Sequence, residues 1–160
     1  MVGVLFIHGI LGVFGIRGYT LANDSTVVEI LRLGDITVEL RMPVGYAKRV
    51  QRYDEHIFFI YQYPDLSYIM IAYGSMLGRP ILTGDRYVMQ IERKKNVFYK
   101  KAGFSSMPYW SRSGSRVEDG KCWREDTYYE YKLSVAYDGV PCDKAKVFEE
   151  IMNAVLIIRD

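Results

Sequence analysis

The sequence predicts an α+β fold: a mainly antiparallel sheet of six to eight strands with a C-terminal helix packed on one face. Three observations predict it. From residue 26 onward apolar and polar residues alternate with a period of 2, the mark of half-buried strands. Turn chemistry interrupts the alternation at Gly34-Asp35, Pro64-Asp65-Leu66-Ser67 and Asp119-Gly120. Only near the C-terminal end does the period change to that of a helix.

Each element has its own warrant. Thr26–Leu33 and Ile36–Met42 read as a hairpin around Gly34-Asp35, with Ile36, Val38, Leu40 and Met42 on one face of the second strand. His56–Tyr63 (HIFFIYQY) and Tyr68–Tyr73 (YIMIAY) form a central hairpin, apolar at nearly every position, which predicts cover on both sheet faces. Gly74–Gly84 is an irregular connection. Arg86–Arg93 alternates again, and Lys94-Lys95-Asn96 turns into Val97–Lys101. Ser105–Lys121, rich in Ser, Gly and charge, reads as a loop. Trp123, Thr127, Tyr129, Tyr131 and Leu133 then form the inward face of a long strand, with Arg124, Asp126, Tyr128, Glu130 and Lys132 on the other face. Asp143 suits a helix N-cap, followed by Ala145, Phe148, Ile151, Met152 and Val155 at helical spacing. Leu156-Ile157-Ile158 either prolongs the helix or starts a short last strand.

Composition narrows the function classes. At 160 residues, with 49% hydrophobic and 25% charged residues, the chain is one ordinary globular domain. Lys and Arg number 21 against 19 Asp and Glu, so no basic excess points to nucleic acid. Val2–Ile16 contains no charged side chain and is too short for the roughly 20 residues of a spanning helix. The expectation is an apolar leader over 1–22, a signal peptide or anchor cut near Thr20-Leu21-Ala22, then a single α+β domain over 23–160. Export to the periplasm, cell envelope or medium follows from that, with a cytoplasmic chain as the alternative. In an exported protein Cys122 and Cys142 can form a disulfide; in a cytoplasmic one they are two separate thiols.

Tyr63-Pro64-Asp65, Gly120-Lys121 with Trp123-Arg124-Glu125, and the closing Val147-Phe148-Glu149-Glu150-Ile151 together resemble small exported proteins of Bacteroidetes-type bacteria. The ending of strands followed by a last helix is also similar to the layout of the PsbP/Mog1 class. That resemblance implies export and a binding or assembly role, and brings no catalytic residue with it. Separately, Val4–Gly9 resembles the strand and His-Gly segment of α/β-hydrolases. The nucleophile elbow that family requires is missing: Gly74-Ser75-Met76-Leu77-Gly78 places its Ser one position early.

Chemistry-bearing constellations are few. Neither Cys lies in a Cys-x-x-Cys motif and the chain has 2 His, so neither a metal site nor a cofactor is expected. Asp54-Glu55-His56 is read as a polar strand start, and Arg124-Glu125-Asp126 as material for a cross-strand ion pair. Tyr is the unusual residue, 14 in all. Its ring is favoured on half-buried sheets, which accounts for most of them. Tyr109, Trp110 and Tyr128 are the candidates for a recognition patch toward a protein, peptide or glycan, with membrane contact only through the leader. The leading expectation is therefore a binding or assembly domain without a catalytic centre. The alternative is a hydrolase using His56 with a nearby carboxylate or Ser75.

Overall fold

The computed structural model describes residues 25–75, 81–82, 86–100 and 103–159; the leader over 1–22 lies outside them. The fold is α+β, as the alternation predicts. The strands are β1 (Thr26–Leu33), β2 (Ile36–Pro43), β3 (Ala47–Tyr53), β4 (His56–Gln62), β5 (Tyr68–Gly74), β6 (Tyr87–Lys100), β7 (Gly103–Arg116), β8 (Cys122–Tyr128), β9 (Leu133–Val140) and β10 (Leu156–Arg159). They form one 10-stranded sheet in the order β1-β2-β10-β6-β7-β8-β9-β5-β4-β3. Every pairing is antiparallel except that of β10 with β6. One helix, α1 (Ala145–Asn153), packs against β2, β8 and β9. Among the described residues no helix is long and apolar enough to cross a membrane.

Two strands exceed the expectation for physical reasons. β3 (AKRVQRY) is exposed at every position, so it carries no burial alternation for a pattern to reveal. β7 occupies most of the segment expected to be a loop. Its Ser and Gly residues are held by a ladder with β6 running from Tyr87↔Arg116 to Lys100↔Gly103. Backbone pairing along the hairpin overrides weak strand propensity there.

The long strand expected from Trp123 to Leu133 is broken. β8 ends at Tyr128, a 3-10 turn spans Tyr129–Tyr131, and Lys132 takes a left-handed φ of 50° before β9 begins. The turn leaves Tyr129 exposed and buries Tyr131, under which Arg159 lies 5.6 Å from the ring centre. At the other end, Asp143 does not cap the helix. Lys144 holds that position without a side-chain bond. The helix stops at Asn153, and Leu156–Arg159 becomes β10, inserted between β2 and β6.

The sheet curls around α1, and one core fills its concave side. Ile36, Val38, Leu40 and Met42 of β2 meet Phe148, Ile151 and Met152 of the helix, with Ile69, Ile71, Val135 and Ile157 closing the cluster. The curl brings the far ends of the sheet together, since Lys48 on β3 reaches Glu29 on β1. Gly34, at φ 62° in the β1–β2 turn, takes a backbone conformation that a side chain would strain. A Cβ there would also collide with the Tyr73 hydroxyl.

Cys122 at the start of β8 is bonded to Cys142 just before α1, closing a span of 20 residues. The bridge ties the entry of the helix to the sheet beneath it. Removing it as Cys122→Ser with Cys142→Ser should cost about 3 kcal/mol in the chain-entropy model. The expected result is a lower denaturant midpoint and faster amide exchange in α1; an unchanged midpoint contradicts it.

Candidate functional site

The three aromatic candidates do not form a patch. Tyr109 and Tyr128 stack with ring centres 4.8 Å apart on the concave side, and both are buried. A ring under a helix offers nothing to a ligand. Trp110 points to the opposite face, because side chains alternate along β7, and it remains 41% exposed. The faces of β8 are also the reverse of the expectation: Tyr128 belongs to the main core with α1. Trp123 is buried on the convex side with Leu82, Ala136 and Tyr87. Both faces of β8 are covered, which is why alternation could not tell inside from outside.

The hydrolase candidates are not connected to one another. Ser75 Oγ donates to Glu55 Oε2 at 2.5 Å, on an exposed turn. The His56 ring lies parallel to Phe58, centres 6.4 Å apart, and makes no hydrogen bond to that Ser. Nucleophile activation requires the base within hydrogen-bond reach of the hydroxyl. Among the described residues no three potential metal ligands converge.

Instead, the titratable groups form paired networks in which tyrosine hydroxyls cap carboxylates. On the concave side Arg124 donates from Nε and Nη2 to Asp126 at 2.9 and 2.7 Å. The i, i+2 spacing puts both on one face of β8, which is why the fork can close. Its Nη1 continues to Glu149 at 2.5 Å and Asn153 at 2.9 Å on α1. The Tyr137 hydroxyl completes Glu149 at 2.6 Å. Burial disfavours the Arg124 charge, yet the Asp126 bonds and charge prevail and raise its pKa further.

The convex side has its own carboxylates. Glu125 accepts from Arg112, its direct cross-strand partner, and from the backbone N–H groups of Ile81 and Leu82 at 2.9 and 3.0 Å. The strand order requires the β5–β6 connection to cross β9, β8 and β7, and Glu125 is where the described part of it is held. Asp138 accepts from Tyr68 and Tyr87 at 3.0 and 3.1 Å and from the Gly139 N–H at 2.7 Å.

The third carboxylate lies where the two ends of the sheet meet. Glu29 on β1 accepts from Tyr46 at 2.6 Å, Lys48 at 2.7 Å and Tyr61 at 3.3 Å. Burial alone would raise its pKa, but the Lys48 and Tyr46 bonds and the Lys48 charge outweigh it and hold the carboxyl below its ordinary value. Burial, then the Glu29 bond and charge, push Tyr46 up to about 12.

Among the described residues the exposed apolar side chains are most concentrated around this seam. Val28, Ile30, Val44, Val50 and Tyr53 are all exposed, on β1, β3 or the β2–β3 link. Leu66, Trp110, Val117 and Tyr129 are the other exposed ones among the described residues. Only one of the two edge strands is guarded. β3 carries Lys48, Arg49 and Arg52, whereas β1 (TVVEILRL) is apolar on both faces. Sequence reading missed this site, although the apolar residues of β1 at both odd and even positions were a visible signal. A strand with water on one face has no structural need for Val28 and Ile30.

The chain matches no family model, no curated protein and no solved structure. The seam is therefore judged on its own chemistry.

The Glu29 network has a pH signature. A depressed carboxyl stabilises the fold fully above its unfolded pKa, near 4.5, and the contribution is lost as pH falls through the lower folded value. A phenol raised to about 12 stabilises fully below 10 and loses that as pH rises between the two. Glu29→Gln should therefore be less stable than the parent at neutral pH and show a shallower loss in acid, measured by urea midpoints. It should also become less sensitive between pH 10 and 12. Parallel pH profiles of parent and variant would contradict the assignment.

Proposed function

We propose that this protein is a small exported domain that acts by binding or assembly, through the seam formed by β1, β3 and the β2–β3 link. One observation carries the reading. Among the described residues the charged interior groups are consumed in structural pairs, while five of the nine exposed large apolar side chains lie on the two edge strands or the β2–β3 link. Exposed edges of that kind are template surfaces for another chain. Trp110 is a secondary contact on the convex face. The disulfide Cys122–Cys142 and the uncharged run Val2–Ile16 support the exported compartment, because structural disulfides persist in oxidising surroundings. The likeness in layout to small exported proteins of Bacteroidetes-type bacteria and to the PsbP/Mog1 class belongs to the same proposal.

A photo-cross-linking residue placed at Ile30 in producing cells should capture a defined adduct, and one placed at exposed Val117 should not. Equal labelling at both sites, or none at Ile30, overturns the reading. For the compartment, N-terminal sequencing of the purified protein should give a start just after Ala22. A start at Met1 in a reduced cytoplasmic fraction overturns export.

A further inference from the structure

We propose that the partner is an extended segment, added as a strand to the free edge of β1, that presents on a single face apolar residues in the middle and acidic residues at the ends. The inference rests on the binding reading above and names the chemistry of what binds. β1 pairs with β2 alone, so eight residues present an edge to which another strand can hydrogen-bond. The ladder places Val28 beside Arg41, Ile30 beside Glu39 and Arg32 beside Thr37 on the convex face. Leu156 of β10 lies next to Glu39 in the same row. Val28, Glu39, Arg41, Ala154 and Leu156 line a shallow depression there. An added strand would therefore set its side chains against Val28 and Ile30 in the middle and against Arg32 at one end.

Charge selects among possible strands. Arg32 and Arg41 on this face make no ion pair among the described residues. Across the seam, Arg49 and Arg52 of β3 are exposed and likewise unpaired among the described residues, on opposite faces of that strand. Lys48 is committed to Glu29, so the unpaired charges of β1 and β2 on the convex face are two guanidinium groups against the Glu39 carboxylate. A segment rich in Lys or Arg is repelled, and an acidic one is both attracted and oriented.

The test uses the full domain with its disulfide intact and a fluorescein-labelled peptide of eight residues, matched in length to β1, with glutamate, valine, valine and glutamate at the four positions of one face and threonine at the other four. The same peptide with lysine in place of glutamate is the control. Anisotropy titration at low salt should show saturable binding of the glutamate peptide, roughly tenfold or more tighter than the lysine peptide. Arg32→Glu with Arg41→Glu should invert that preference. Val28→Glu with Ile30→Glu, which removes the apolar contact and repels the acids, should abolish binding of the glutamate peptide without changing the circular dichroism. Equal binding of the two peptides, or glutamate-peptide binding that survives these substitutions, overturns the proposal. A concentration-dependent dimer in sedimentation that the same substitutions dissociate overturns it in favour of a second copy. If the peptide fails while Ile30 still cross-links in cells, the partner class is wrong and the binding reading stands. If both fail, the seam itself is not the site.

Discussion

The Arg124 guanidinium is the interaction on which the rest of the molecule depends. It is nearly inaccessible, at 1% exposure, and each of its donor nitrogens is committed: two to Asp126 on its own strand, one to Glu149 and Asn153 on the helix. A curled sheet and a helix can slide over one another if only apolar side chains meet. A forked, directional bond between them admits one position. Burying such charges is costly, and hydrophobic replacement of a buried ion pair is often no less stable. The gain here is registry: α1 is held over β8 and β9, and the main core packs against it there.

The tyrosines extend the same solution outward. A carboxylate partly buried on a curved sheet needs more donors than the one cation beside it, and a second Lys or Arg would add further charge to desolvate. A phenol supplies a neutral donor on a large apolar ring. Five tyrosines do this work, with Tyr46 and Tyr61 at Glu29, Tyr68 and Tyr87 at Asp138, and Tyr137 at Glu149. Tyr63 donates to the Pro43 carbonyl in the same spirit. The richness in Tyr thus reflects how the fold neutralises its own interior, more than any ligand.

What the sequence discloses tracks burial. β2 and α1 were legible because one face of each is buried and the other is not, so alternation or helical spacing marks them. β3 was hidden because all of it faces water, and the two faces of β8 were indistinguishable because both are covered. β7 was hidden for another reason, since its Ser and Gly residues owe their conformation to a partner strand. The recognition patch failed for want of long-range information: only the fold shows that Tyr109 and Tyr128 lie under a helix while Trp110 does not. The open edge of β1 was legible in part, as apolar residues where one sheet face needed none.

The position of β10 has a consequence for how the molecule is made. It is paired antiparallel with β2 on one side and parallel with β6 on the other. Arg159 on it reaches Asp35 across 124 residues of chain. Without that strand the β1–β2 hairpin has no backbone pairing with the remaining sheet among the described residues. The sheet is therefore completed by residues 156–159, and closure by such distant contacts makes for slow folding.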